Sequence, residues 1–513
     1  MVSQNVNSRV LGAASFLCGA CVMVLEMAGS RVMAPYMGTS LVVWTALIGI
    51  IMASLTLGYW LGGAVADRRP EIKILYYIIL AAALVTAVVG AAAAPVLESL
   101  SAGVRNVYIA AVMASALLFA VPSVLLGMVS PFIMRLAMRN VLSSGGTVGK
   151  FSALSSAGSI IGTFLGGFVL ISFFSSRTIL FMVAFALALA ALLLRGRHAV
   201  LPVIAAIFAA ACGFHYESDE IAREAKFMET AEISGEITVE TRYNTIRITE
   251  RAASGSNRRV RILQTDPMGA QSLMYVDRPN DLYSDYAKFY DLAFHYKPDA
   301  EKILMLGGGG YCVPKHIGAT RPGVAVDVVE LDPGITDAAR KYFNLEDRPG
   351  QRIFHEDARM FVNRESEAPA RNGQNARKYD AVFGDVFGSS YNIPFHMTTA
   401  ECMGKIRAMM SDDGVFIVNI ISSLDGELFS GIYSSVASAF PTVMIYPATY
   451  PNSSRARQNI MIVALADGNA PYRAPDDDYT AFLLAHRWTN DFAPKTAAFT
   501  DAFAPVEKYS LSL

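Results

Sequence analysis

The stretch "EKILMLGGGGYCVPKHIG" (residues 301 to 318) passes from a short apolar run straight into four glycines. An apolar strand, a glycine turn and a following helix open a βαβ unit, and glycines leave the backbone bare so that a ligand can approach it. The alternation continues downstream. "KILML" (302 to 306), "VDVVEL" (326 to 331), "RIFHED" (352 to 357), "YDAVFGD" (379 to 385) and "GVFIVNII" (414 to 421) read as strands, with helical segments such as "PGITDAARKYFN" and "TTAECMGKIRAMM" between them. This pattern predicts a mainly parallel sheet whose ligand lies at the carboxyl ends of the strands.

Those ends carry a constellation. Gly307, Gly308, Gly309 and Gly310 follow the first strand, and Glu330 closes the second. An acid about 20 residues beyond the glycines stands where a carboxylate accepts hydrogen bonds from ribose hydroxyls. Asp357 and Ala358, in "EDAR" after the third strand, fall beside the place of an adenine ring, and Asp385 ends the fourth strand facing the same crevice. One glycine turn is a weak signal; four successive strand ends bearing Gly, Glu, Asp and Asp form a stronger one. The bland alternative is that these acids are helix caps and surface turns, and on the glycines alone a dinucleotide phosphate stays open.

Upstream the period changes to two. "ITVETRYNTIRITE" (237 to 250), "RRVRILQ" (258 to 264) and "AQSLMYV" (270 to 276) are β-branched or alternating, with "ASGSN" and "TDPMG" as turn chemistry between them, and predict an antiparallel meander. "DLYSDYAKFYDLAFHY" (281 to 296) repeats apolar and aromatic residues at helical spacing.

The first part of the chain has another character. Of 513 residues, 53% are hydrophobic and 17% charged, too apolar for an ordinary soluble protein. The excess lies before residue 215, in stretches near 10 to 35, 42 to 65, 74 to 97, 107 to 134, 152 to 174, 177 to 194 and 199 to 214. About 20 apolar residues cross a bilayer as a helix. The last stretch is short for that, and the long 107 to 134 run offers a break at Pro122. The first run is long enough to span and is followed by others, which argues against a cleaved signal peptide. Small residues in "GTFLGGF" and "LGYWLGGAVA" predict closely packed helices. Basic residues in "ADRRPEIK" (66 to 73), "MRLAMRN" (134 to 140) and "RGRH" (195 to 198) put those loops and the N-terminus in the cytoplasm of a multi-pass cell-membrane protein. Seven spans would carry the second half outside, whereas its nucleoside chemistry calls for the cytoplasm. Glu26, inside "VMVLEMAGSR", is either a functional intramembrane carboxylate or a structural partner of Arg31.

The expected organisation is therefore a multi-pass helical domain (1 to 214), a charged linker (215 to 235), the meander and helix (236 to 300) and a Rossmann-like nucleoside-binding domain (301 to 513). A net charge of −1 gives no reason to expect nucleic acid, and five scattered cysteines suggest neither a disulfide framework nor a metal site.

From 236 to about 465 the sequence resembles the spermidine synthase (polyamine aminopropyltransferase) family: the meander, then "LMLGGGG", "VVELDP", "HEDARMF" and "YDAVFGD" in order. The resemblance implies a class I methyltransferase-type fold and decarboxylated S-adenosylmethionine as a co-substrate, with no tightly bound cofactor. It also assigns residues. Asn244 and Gln271 correspond to meander positions that contact the nucleoside, Glu330 to the ribose acid, Asp357 and Ala358 to adenine contacts, and Asp385 to the catalytic acid. Gly310 falls on the acceptor side, and helical spacing places Tyr283, Tyr286 and Tyr290 there as well.

The departures concern that side. Where polyamine-making members carry Asp after the third glycine, this chain has Gly310; where a second Asp follows the catalytic one, it has Gly388; and at "LYSDY" a histidine is replaced by Ser284. An acid at 310 would face the carboxylate of intact S-adenosylmethionine, and like charges about 4 Å apart repel by roughly 4 kcal/mol at an effective dielectric near 20. Its absence opens a second reading, a methyl- or aminocarboxypropyltransferase using S-adenosylmethionine itself. The acceptor is expected to be a small amine or a lipid-associated molecule at the membrane, and a homodimer is among the expected states. A third reading, transporter or nucleoside sensor, draws on "GGAVADRRPEIK" (62 to 73), which resembles a loop of major facilitator transporters.

Overall fold

In a computed structural model the chain is described over residues 7–511, apart from 38–40, 105, 139–143, 196–199, 230–235, 242, 254–257, 266–268, 373–377, 387–392 and 469–472. It divides into two compact units, Met1–Ala231 and Glu232–Leu513.

The first unit is all helical: α1 (Ser8–Met37), α2 (Leu41–Arg68), α3 (Ile72–Gly103), α4 (Val107–Ala137), α5 (Ser144–Phe164), α6 (Ile171–Phe173), α7 (Ser176–Arg195) and α8 (Val200–Glu229). A π-helical segment, Leu165–Leu170, joins α5 to α6. Six helices are long and apolar enough to cross a membrane; the apolar part of α8, Pro202–His215, is shorter. Helix α4 runs unbroken through Pro122 and Pro131, so the break that Pro122 offers is not used. In apolar surroundings a helix is the conformation that satisfies the remaining backbone groups, and each proline removes only its own donor.

Helices α2 and α4 meet backbone to backbone. A Cβ at Gly62 would lie 2.5 Å from the Met128 carbonyl, and one at Gly127 2.6 Å from that of Leu55. Gly158 and Gly162 of α5 press equally closely on Phe16 and Ala20 of α1. Trp60, Leu117, Ile160 and Phe168 point outward. Glu26 is half-buried on α1.

The second unit opens with β1 (Glu236–Glu240), β2 (Thr245–Ala252), β3 (Arg259–Gln264) and β4 (Ser272–Tyr275), antiparallel in that order. The run at 237 to 250 is thus two strands. The Thr241 hydroxyl accepts from the N–H groups of Tyr243 (3.1 Å) and Asn244 (2.9 Å), a local bond that turns the chain back. The turn residues read at 254–257 and 266–268 lie outside the described residues. The stretch expected as one helix forms α9 (Asp285–Lys288), a 3₁₀ turn (Phe289–Asp291) and α10 (Leu292–Tyr296). The tightened turn carries Phe289 and Tyr290, both buried, with the Tyr290 ring 4.8 Å from that of Phe383.

The main sheet contains β5 (Lys302–Leu306), β6 (Ala325–Val329), β7 (Gln351–Phe354), β8 (Tyr379–Gly384), β9 (Met410–Ser422), β10 (Thr442–Pro447) and β11 (Gln458–Leu465). Their order is β10-β11-β9-β8-β5-β6-β7, with β5 to β9 parallel and β11 running antiparallel between β9 and β10, so that β10 points the same way as β5 to β9. The helices are α11 (Cys312–Thr320), α12 (Pro333–Tyr342), α13 (Ala358–Asn372), α14 (Ala400–Ala408), α15 (Glu427–Ala437), α16 (Asp478–Ala485) and α17 (Val506–Leu511). This is a class I methyltransferase-like fold. Strands β10 and β11 carry no acid at a strand end and escaped the sequence expectation, although both are apolar runs. The carboxyl ends of β7, β6, β5 and β8 lie side by side and position the site.

Candidate active site

The loop after β5 is wound by positive φ angles at Gly307 (93°), Gly309 (51°) and, unusually, Tyr311 (55°). At Gly307 a side chain would also run into the Asp385 carbonyl. Tyr311 is buried; its hydroxyl shares a 2.6 Å hydrogen bond with Thr336, and its ring lies 2.7 Å from where a Cβ of Gly308 would stand. The left-handed turn therefore packs an aromatic ring beneath the loop and obliges position 308 to be bare.

That winding turns backbone donors toward Glu330. The N–H groups of Gly308 (2.9 Å) and Gly309 (3.2 Å) donate to its Oε2, and the N–H of Asp332 (2.9 Å) to its Oε1. Burial pushes the carboxyl upward in pKa and the three donors pull it back. Of roughly four lone-pair positions on a carboxylate, three are thus taken, which leaves an acceptor direction for a ligand hydroxyl. The same arrangement disfavours a phosphate, because the loop's donors already serve an anion and that anion would repel another.

Asn244, in the β1–β2 turn, donates its amide to Asp332 Oδ2 (3.1 Å), two residues beyond Glu330. Gln271 immediately precedes β4, whose Ser272 Oγ accepts the Gly310 N–H at 2.8 Å. An acid at position 310 has no space in this arrangement: its Cβ would stand 2.8 Å from the Ser272 Cβ and 2.9 Å from the buried Phe343 ring. Asp357 caps α13 by accepting the Met360 N–H (3.0 Å), and its other oxygen lies 3.6 Å from His396 Nε2. Ala358 begins that helix and packs against the core. Asp357 is thus a cap, as the bland alternative has it, with one oxygen to spare.

Asp385 stands at the end of β8 in a shell of neutral side chains. Its Oδ1 accepts from the Asn419 amide (3.0 Å) and its Oδ2 from the Tyr286 hydroxyl (3.2 Å). Asn419 is held in turn, its carbonyl accepting from Asn459 at 2.9 Å. Burial pushes the Asp385 carboxyl up to about 6, against the pull of these two donors. Burial beside this carboxylate also keeps the Tyr286 phenol protonated.

Of the three tyrosines placed on the acceptor side, Tyr286 reaches Asp385, while Tyr290 donates to the Gly384 carbonyl (3.2 Å). Tyr283 does neither: its ring packs 5.0 Å from that of Tyr275 on the meander. Gly388 lies outside the described residues. Sequence reasoning missed Asn419, Asn459 and Ser272. For Asn419 a signal existed, a polar residue inside a strand that is otherwise a buried apolar run.

No family model matches the chain. A polyamine aminopropyltransferase of Vibrio vulnificus (strain CMCP6) is 27% identical over 251 residues, covering 46% of this chain and 79% of that protein. An N-terminal histidine N-methyltransferase of Emericella nidulans is 29% identical over 176 residues, or 34% of this chain and 30% of its own length. The crystal structure of a probable spermidine synthase from Corynebacterium glutamicum covers 53% of this chain and 98% of that one, at 18% identity and a TM-score of 0.43. The half of the chain built around the glycine loop is therefore similar in sequence to polyamine aminopropyltransferases over about half the chain, and over a shorter stretch to a methyltransferase.

Proposed function

We propose that the chain is a membrane-integral aminopropyltransferase, moving an aminopropyl group from decarboxylated S-adenosylmethionine to an amine. The carrying observation is the juxtaposition at the β5 and β8 ends. The glycine loop and Glu330 form a nucleoside seat, and Asp385, bonded to Tyr286, adjoins it through the Gly307 contact. The similarity to the Vibrio vulnificus aminopropyltransferase supports the same reading.

Glu330 would take a ribose hydroxyl and Asp357 the adenine amine, with Asn244 and Gln271 flanking the nucleoside. The acceptor nitrogen attacks the methylene beside the sulfonium. The carbon–sulfur bond breaks with its electron pair leaving on methylthioadenosine, and the nitrogen's proton passes to Asp385. A carboxyl with a pKa of about 6 is mostly ionised at neutral pH and is a better base than an ordinary aspartate. Its charge also favours the cationic donor.

A second reading, transfer from S-adenosylmethionine itself, is favoured by Gly310, where Ser272 and Phe343 occupy the surroundings and no acid repels a donor carboxylate.

The six long apolar helices support a multi-pass membrane location. With α8 not crossing, an even number of spans returns the chain to the side of its N-terminus. The basic ends at Arg68, Arg135 and Arg195 then fall on that same, cytoplasmic, side.

The test offers each donor separately to the full-length protein in detergent, with an amine, and follows the released thioether. Methylthioadenosine from the decarboxylated donor alone is the expected result; adenosylhomocysteine from the intact donor would transfer the case to the second reading. Asp385→Asn is expected to lower kcat by about 10²–10⁴-fold, the range of a general base, with donor affinity unchanged. Loss of donor binding in that variant would contradict the role.

A further inference from the structure

We propose that Asn459 is a positioning residue for Asp385: acting through Asn419, it fixes which carboxylate oxygen stays bonded and which one takes the proton. This rests on Asp385 being the base of the transfer and says how that base is set.

Asn419 is an amide buried in an apolar strand, between Val418 and Ile420. Such a group is costly unless both of its ends are bonded. Both are. Its Nδ2 donates to Asp385 Oδ1 (3.0 Å), and its Oδ1 accepts from Asn459 Nδ2 (2.9 Å). Asn459 stands on β11 opposite Ile421 of β9, and its own backbone carbonyl accepts the Ala448 N–H (2.9 Å), so the sheet holds it from both sides. The direction of donors belongs to this chain as a whole. Turned over, Asn419 would set its carbonyl against the Asp385 carboxylate and its amino group against that of Asn459, two repulsive contacts in place of two bonds. Asn459 therefore locks the face that Asn419 shows to Asp385.

The two oxygens of Asp385 are made unequal in this way. An amide nitrogen donates and does not accept, so a proton placed on Oδ1 finds no acceptor in Asn419. Oδ2 faces the Tyr286 hydroxyl (3.2 Å), and a hydroxyl becomes donor or acceptor by rotating. Oδ2 is then the oxygen that receives the proton. With Asn459 removed, the Asn419 amide can turn and accept from a protonated Oδ1, which stabilises the neutral acid.

Ionisable groups also stand at this end. Tyr286 and Tyr290 come from the segment before β5, and the Cys312 thiol of α11 acts on Tyr286; burial keeps all three protonated. Asp425 and Glu427 follow the carboxyl end of β9, and Asp425 lies 3.9 Å from Arg455, which with Arg457 belongs to the β10–β11 connection. Their fields are common to all the variants compared, which exchange uncharged side chains for one another, so a displacement between variants reports the amide chain.

The experiment follows the Asp385 carboxyl directly. In the full-length protein in nanodiscs, the protonated-carboxyl infrared band that Asp385→Asn removes is titrated with pH, and thioether release is measured with each adenosyl donor and putrescine. Asn459→Leu is expected to move the titration midpoint up by about 0.5–1 pH unit, a roughly three- to tenfold gain in proton affinity from weakening one charge-assisted hydrogen bond. Asn459→Ala should act alike and serves if the leucine variant does not fold. Asn459→Gln, which keeps an amide donor, should return most of the shift. In an Asn419→Leu background Asn459→Leu should add nothing, because its path to Asp385 is gone. A midpoint that stays in place without the Asn459 amide overturns the proposal, as do shifts that add in the double variant or a glutamine variant displaced as far as leucine. Displaced midpoints with no thioether released from either donor would instead sink the transferase reading and leave the amide chain standing.

Discussion

Two carboxylates at neighbouring strand ends are held in opposite ways. Glu330 is gripped by three backbone N–H groups, from Gly308, Gly309 and Asp332, whereas Asp385 is gripped by two side chains, Asn419 and Tyr286. Backbone donors are fixed by the winding of the chain, so the binding acid is insensitive to most single substitutions around it. Side-chain donors can be exchanged one at a time. The acid proposed for chemistry is thus the one whose basicity is adjustable, and the acid proposed for binding the one whose geometry is not.

The substitution that should damage both ends at once is Gly307→Ala. Alanine at φ 93° is strained, and its Cβ would strike the Asp385 carbonyl, so the loop and the end of β8 cannot both stay in place. We expect a loss of at least about 2 kcal/mol in stability, with donor binding and turnover falling together. Thermal unfolding and calorimetry on the same preparation check this. A variant that binds donor normally would separate the two ends, contrary to the contact described.

Glu330→Gln isolates the nucleoside end. The amide keeps one oxygen but replaces the other with a donor, which then opposes at least one of the N–H groups now pointing at the carboxylate. Donor Kd should rise by about 10–100-fold, in line with losing one or two charge-assisted hydrogen bonds, while the pH profile keeps its acid limb. Titration calorimetry decides; an unchanged Kd would remove Glu330 from the binding role.

At the other end the effect should appear in pH. With Asp385 as the proposed base and its pKa raised to about 6, kcat/KM is expected to fall as pH drops through that value and to level off above it. Tyr286 and Asn419 both pull this pKa down. Removing either donor, in Tyr286→Phe or Asn419→Leu, must therefore move the acid limb to higher pH. A limb that stays or moves down breaks the assignment of Asp385 as the titrating group, even if the variants lose some rate.

How much of this was legible in the sequence differs between the two ends for the same reason. Glu330, Asp357 and Asp385 stand at the ends of short apolar strands, where position alone predicts that they face the crevice. The neutral partners of Asp385 come from elsewhere. Asn419 sits within β9, where a count of apolar residues passes over it, and Asn459 lies on β11, a strand the alternating pattern did not include. Gly310 was conspicuous as a missing acid, but that Ser272 and Phe343 close around it depends on packing between β4, the loop and the end of α12. The helix boundary mattered as well. Spacing could not choose among Tyr283, Tyr286 and Tyr290, and the start of α9 at Asp285 leaves Tyr283 outside the helix altogether.

The smallest effect expected is also the one that tests this last distinction. Tyr283 packs its ring on Tyr275 and against the small cluster of Ala253, Val260 and Ile262 on the meander, away from Asp385. Tyr283→Leu keeps an apolar body in that contact and removes a hydroxyl that is not among the partners of Asp385. The exchange should cost stability about 0.5–1.5 kcal/mol through the lost ring contact and leave kcat/KM within about twofold, with the acid limb in place. Tyr286→Phe, which deletes only an oxygen three residues along, should do the reverse, disturbing the pH profile with little change in unfolding. If the two variants instead behaved alike in kinetics, the acceptor side would include the meander, and the neutral shell drawn around Asp385 would be too small.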